Sequence, residues 1–138
     1  MSARERQDLL VEDYGLIENS FERFQLIVDT AHSTLAPYPE EFRTDDRLVP
    51  GCVSRVWLAV RESDDGHFTV MIDSEAPALK SIGVLFCRVY SGATAREIRE
   101  TEPDFIERLA IDRHLTPTRL RGVSQIRKVL LELVTNPG

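Results

Sequence analysis

Two cysteines in 138 residues are too few for a disulfide framework, and neither Cys52 nor Cys87 stands in a Cys-x-x-Cys pair or near enough to a histidine to suggest zinc ligation. Long apolar runs are missing as well. No stretch approaches the roughly 18 residues read as a membrane span, and Met1-Ser2-Ala3-Arg4-Glu5-Arg6 has no apolar signal core behind it. The expectation is a cytosolic protein with no membrane contact. Positive charge is in deficit: 17 Lys and Arg against 23 Asp and Glu leave a formal net charge of -6. That balance disfavours the broad phosphate contacts of a nucleic-acid binder. Repeats, low-complexity tracts and linkers long enough to divide domains are also lacking, so one domain over residues 1–138 is expected. What remains, 42% hydrophobic and 29% charged residues, is the balance of a folded globular chain.

The patterning predicts the order of elements. From about Arg4 to Thr34 the period is helical with a break near Tyr14-Gly15, and Leu16, Ile17, Phe21, Phe24, Ile27 and Val28 recur at three and four residues, which fits two helices. Leu35-Ala36-Pro37-Tyr38-Pro39 stops the second, because each proline removes a donor and restricts the residue before it. Strand character begins near Arg47, halts at Pro50-Gly51 and resumes from about Arg55 to Arg61. A turn at Ser63-Asp64-Asp65-Gly66 and an alternating run from Phe68 to Ile72 make the last two strands an antiparallel hairpin. From about Glu75 to Ser91 the segment is apolar nearly all the way round, the mark of a buried central helix. Shorter helical pieces follow at Thr94 to Glu100 and Pro103 to Leu109. A last helix runs from about Pro117 to Val134, with Thr116 as N-cap and Pro117 at the first helical position. The fold class is therefore α+β: a three-stranded antiparallel sheet preceded by two helices and covered by C-terminal helices.

Cys52 draws attention through its position. It follows Val49-Pro50-Gly51 in a short connection between apolar strands, where proline ends the ladder and glycine permits a sharp turn that lifts the thiol outward. Arg47, Arg55 and Arg119 are candidates to lower its pKa toward a thiolate able to attack a sulfane sulfur. The opposite reading is a small buried hydrophobe, which most free cysteines are, and the local residues leave the two open. His67 or His114 would have to approach through space to form a Cys-His dyad, which has no local support. Cys87 lies within Val84-Leu85-Phe86-Cys87 on the apolar helix and is assigned packing alone.

Arg119 is a second anomaly. It shares a helical face with Val123, Ile126 and Leu130, and it occupies the first turn, where the helix dipole disfavours a cation. One reading makes it an anchor paired with Asp73 or Glu75. The other has its stem lie over the core with its head in water. Arg121 and Lys128 fall on the opposite, solvated side.

The run Val49-Pro50-Gly51-Cys52-Val53-Ser54-Arg55-Val56-Trp57 resembles the cysteine loop of the SufE family of sulfur-acceptor proteins, which includes CsdE. Leu35 to Phe42 with Arg43 is similar to that family's proline-bearing link. Asp73-Ser74-Glu75-Ala76 is similar to its strand-to-helix junction, and His114-Leu115-Thr116-Pro117-Thr118-Arg119 with Gly122 to its C-terminal signature. The resemblance spans roughly Ile17 to Val134 with the motifs in order. It implies a compact domain related to NifU-type scaffolds. Cys52 would take persulfide sulfur from a cysteine desulfurase of the SufS/CsdA kind, stimulate that enzyme, and pass the sulfur to a cluster-assembly scaffold. Gly51, Ser54, Asp73 and Arg119 are the supporting residues it implies. It implies no metal and no cofactor on this chain, pyridoxal phosphate belonging to the desulfurase, and no independent turnover. Val53, Val56 and Trp57 are expected to shelter the sulfur until docking brings the loop out. Departures lie at Val53-Ser54-Arg55, where a Gln-Ser-Gln is common, at Arg47 in place of an asparagine, and at Ser81 in place of a glycine. They motivate an alternative, an interaction module that kept the fold and transfers no sulfur.

Overall fold

A computed structural model describes residues 1–34 and 37–135; Leu35 and Ala36, expected to help stop the second helix, lie outside the described residues. Helix α1 (Ala3–Gly15) opens on a capping box in which the Glu5 amide donates to Ser2 Oγ and the Ser2 amide to Glu5 Oε1, both at 3.1 Å. Helix α2 (Ser20–Thr30) is capped by Asn19, which accepts from the Glu22 amide at 2.9 Å. A 3-10 turn over Ala31–Thr34 continues it. The break at Tyr14-Gly15 and the two-helix reading therefore hold.

The sheet has the order β1-β2-β3. β1 (Val56–Glu62) and β2 (His67–Ser74) form the expected hairpin, with Leu58 opposite Ile72 and Trp57 opposite Asp73. The third strand is not the one expected near Arg47. Asp45–Arg47 form a 3-10 turn, followed by an isolated bridge from Leu48 to Trp57. Pro50 leaves only two residues for pairing before the turn, and Thr44 bonds the Asp46 carboxylate in competition with extended backbone. β3 is instead Ala93–Thr94, paired with His67 and Phe68, a strand too short to carry a period-2 signal.

Alternation along the hairpin separates two apolar layers. Val56, Leu58, Phe68, Val70 and Ile72 face the main core, whereas Trp57 and Ala59 join Tyr38 in a smaller cluster backed by Phe42, Leu48 and Met71. Helix cover is thus confined to one face, and the Tyr38–Leu48 segment covers the other. Helix α3 (Pro77–Tyr90) is the buried centre predicted from its composition: Ile82, Leu85, Phe86, Val89 and Tyr90 are wholly inaccessible. Ser81, the departure noted in the sequence, is buried and donates from Oγ to the Val28 carbonyl of α2 at 2.8 Å. Helices α4 (Ala95–Glu100) and α5 (Phe105–Arg108) follow, the former capped by Thr94. α6 (Pro117–Thr135) then packs across α3, α4 and β1. Among the described residues no helix is long and apolar enough to cross a membrane.

α3 meets β2 at Gly83. A Cβ there would stand 2.6 Å from Ile72 Cδ1 and 2.8 Å from its Cγ2, inside any real contact. Gly83→Ala gains about 1 kcal/mol of helix propensity but overpacks the interface by more, and should lower stability by about 1–2 kcal/mol net. Urea unfolding checks this. Gly83→Ala with Ile72→Val should recover part of the loss.

Candidate functional site

The loop carrying Cys52 is tied at both ends. On one side the Val49 amide donates to the Val56 carbonyl at 2.8 Å; on the other the Arg55 carbonyl accepts from the Glu75 amide at 3.1 Å and from Ser74 Oγ at 2.8 Å. Between these ties Gly51 has a φ of +82°, a left-handed conformation that strains any residue with a Cβ. The turn faces α6. Gln125 Nε2 donates to the Pro50 carbonyl at 3.0 Å, and a Cβ on Gly51 would lie 2.9 Å from that same nitrogen.

The expectation that Pro50-Gly51 would turn the thiol outward is not met. Cys52 is half-buried, with Sγ directed at the Gly122 carbonyl, 3.9 Å away. Gly122 leaves room for it, since a Cβ on that residue would already be in van der Waals contact with Sγ at 3.5 Å. The thiol borders a cavity of about 180 Å³ whose lining includes Val53, Ser54, Leu79, Thr116, Arg119 and Gly122. Burial pushes its pKa up, the reverse of the lowering expected from Arg47, Arg55 and Arg119. Arg47 lies over the Phe42 ring, and Arg55 reaches toward Glu75 at 3.9 Å. The shelter also differs from the one expected. Val53 is 87% exposed, Trp57 belongs to the cluster on the other face of the sheet, and Leu79 and Gly122 close the inner side.

Arg119 is exposed, so the inward anchor is corrected. Its amide is capped by Thr116 Oγ1 at 3.2 Å, as the N-cap reading required. The buried cation on α6 is Arg127, two turns further on, which donates to the Ile98 carbonyl at 2.9 Å and stacks over Tyr90. Position along the helix explains the difference: a guanidinium in the first turn overhangs the loop, whereas one mid-helix is closed over by α4. Arg119 does line the Cys52 cavity, although burial and not its charge sets the direction of the Cys52 pKa shift.

Asp73, the proposed partner of Arg119, is held by other cations. Arg43 Nη1 lies 2.6 Å from Oδ2 and Lys80 Nζ 3.4 Å from Oδ1, while the Ser74 amide donates to Oδ1 at 2.8 Å. Arg43 is itself set against the Trp57 ring, 4.9 Å from its centroid. Burial alone would raise the Asp73 pKa. The hydrogen bond from Arg43, the Ser74 amide and the charges of Lys80 and Arg43 outweigh it, and the net shift is downward. Asp73 thus locks the Tyr38–Leu48 cover to the strand behind the Cys52 loop.

Neither histidine joins Cys52. His67 pairs with Asp65 at the hairpin turn, and His114 bonds Ser20 Oγ at 2.9 Å and packs against Phe21 and Phe24. Cys87 is 1% exposed and burial pushes its pKa up to about 12, consistent with packing alone. Arg43, Leu79 and Gln125 were missed as parts of the site. Gln125 had one usable signal: at three residues from Gly122 it sits on the same side of α6.

Two comparisons bear on this arrangement. A family model for SufE, described as an Fe-S metabolism associated domain, matches residues 8–134. A solution structure of a hypothetical protein from Thermus thermophilus superposes with a TM-score of 0.76, covering 94% of this chain and 93% of that one at 18% identity, which shows a shared fold.

Two measurements test the electrostatics. Because burial holds the Cys52 proton, its alkylation by iodoacetamide should rise with pH along a curve centred above the ordinary thiol value near 8.5; a midpoint below that value would contradict the inward thiol. For Asp73 the folded pKa is depressed, so its contribution is present above about pH 4 and is lost as pH falls through the folded value. Arg43→Met should cost about 2 kcal/mol at pH 7 and clearly less at pH 3, read from urea unfolding at both.

Proposed function

The chain belongs to the SufE family, associated with iron-sulfur metabolism, and on that footing we propose that Cys52 accepts sulfur from the persulfide of a cysteine desulfurase and delivers it for iron-sulfur cluster assembly. The observation that carries the reading is the setting of Cys52: a lone half-buried thiol on a tied loop, at the edge of a cavity of about 180 Å³. An added sulfur takes roughly the space of a water molecule, about 30 Å³, so a persulfide fits without displacing the core.

The transfer is an exchange at sulfur. The Cys52 thiolate attacks the terminal sulfur of the enzyme's persulfide, the new S–S bond forms on Cys52, and the old one breaks to release the enzyme's cysteine as a thiolate. No net oxidation occurs and no cofactor on this chain is needed; pyridoxal phosphate stays with the desulfurase. Release to a scaffold's thiol repeats the exchange in the other direction. Arg119 and the first turn of α6, which line the cavity, favour negative charge there and so suit the persulfide anion, which is a weaker base than a thiolate. Removing the enzyme's sulfur product frees its cysteine for another cycle, so in this reading the protein also stimulates the desulfurase. The protein acts in this reading as a cytosolic carrier with no turnover of its own.

Incubation with a cysteine desulfurase, ³⁵S-cysteine and no reductant should place label on the Cys52 peptide by mass spectrometry. Cys52→Ser should abolish it. Label retained by that variant, or wild type accepting none, would sink the carrier and favour an interaction module of the same fold.

A further inference from the structure

The Cys52 thiol as it lies is half-buried and directed inward, at the Gly122 carbonyl, and not toward a docking protein. Attack on an S–S bond requires Sγ to approach in line with that bond, and its inner side is occupied by Gly122 and Leu79. Acceptance in the reading above therefore requires the segment Pro50 to Ser54 to swing away from α6 while its two ties, Val49 to Val56 and Arg55 to Glu75 and Ser74, stay in place. What holds that segment closed is little. The thiol contact to Gly122 is long for a hydrogen bond even with sulfur, at 3.9 Å. The one well-formed polar link between the segment and α6 among the described residues is Gln125 Nε2 to the Pro50 carbonyl, at 3.0 Å.

We propose that Gln125 is the latch of the Cys52 loop, a positioning residue whose amide sets how often the sulfur-bearing side chain leaves its cavity. Its placement suits the task. The amide caps the turn from the helix side, bonds the carbonyl immediately before Gly51, and covers Gly51 so closely that any Cβ would collide with it at 2.9 Å. Glycine at 51 thus meets two demands at once, the positive φ and the approach of the latch. Val53 at the tip is 87% exposed and adds little to closure. The inference rests on Cys52 as the sulfur acceptor, but its first test needs no desulfurase.

Alkylation of Cys52 by iodoacetamide, followed by peptide mass spectrometry with buried Cys87 as the internal monitor of global unfolding, reads the open fraction directly. Gln125→Ala should raise the Cys52 rate about five-fold, the equilibrium worth of one neutral hydrogen bond, with Cys87 unlabelled. Gln125→Lys, which keeps a donor of similar reach, should stay near wild type. Gly51→Ala should raise the rate in the wild-type background by more than it does in Gln125→Ala, because displacement of the amide counts only where the amide exists. An unchanged Cys52 rate in Gln125→Ala, labelling that rises equally at Cys87, or equal effects of Gly51→Ala in both backgrounds would overturn the latch. With the desulfurase present, Gln125→Ala should accept labelled sulfur faster and lose it faster to dithiothreitol. A wild type that accepts no sulfur overturns the acceptor reading and leaves the alkylation result standing.

Discussion

The close approach of α3 to β2 at Gly83 and Ile72 is the constraint on which the rest depends. It brings the helix axis down onto the strand, and the residues on either side of it then have fixed tasks. Toward the helix start, Leu79 is delivered to the inner wall of the Cys52 cavity. Toward its end, Tyr90 is delivered to the base of the α4–α6 layer, where its hydroxyl donates to the Thr101 carbonyl at 2.6 Å and its ring receives Arg127. α6 lies across α3 with Gly122 beneath Cys52 and Gln125 over Gly51. A Cβ at position 83 would press on the Ile72 side chain and strain this contact.

Within that frame shelter and reactivity oppose each other at Cys52. The environment that excludes solvent thiols is the one that raises the thiol pKa, because a buried thiolate loses its hydration. A single conformation cannot provide both. In the proposed carrier role added sulfur would change the balance, since a persulfide is more acidic than the thiol. In that role the loaded and unloaded forms would differ in charge at a cavity bordered by Arg119 and the start of α6, and the hold on the loop would change with loading. Rigid ties at Val49 and Arg55 confine that change to a few residues, leaving the sheet undisturbed.

Helices were the most legible part of the sequence, since capping residues and three-four periodicity are local signals: Thr94 and Thr116 each stand where a helix begins. The hairpin was legible for a similar reason. The misplaced third strand was not, because β3 consists of two residues whose pairing with His67 and Phe68 depends on where α3 ends. At the site, Cys52 stood out by its Pro-Gly context, but the direction of its thiol depended on Gly122, seventy residues away. Arg119 stayed open between an inward anchor and a solvated head because helical phase shows which side a residue occupies and not whether a neighbour covers that side; α4 covers Arg127, nothing described covers Arg119 in the same way, and the solvated head is the one found. Asp73 was recognised without its partner, Arg43, which arrives from an irregular segment with no periodicity to place it.

Buried arginines explain how such a segment-rich chain holds together. Arg23 donates to the Leu109 carbonyl through Nε and Nη2, at 3.0 and 2.6 Å, and to the Ile17 carbonyl at 2.7 Å, while Arg127 serves the Ile98 carbonyl. Each saturates backbone acceptors at the ends of short elements, where α5 and α4 are too brief to satisfy their own. The planar guanidinium suits this because several donors radiate from one rigid group. Gln7 does the same with an amide, giving to the Glu102 carbonyl and accepting from the Phe105 amide, both at 3.1 Å. Among the described residues the Cys52 loop has no such multidentate clasp: Gln125 offers it one donor. That contrast in donor number leaves this loop little to lose on moving.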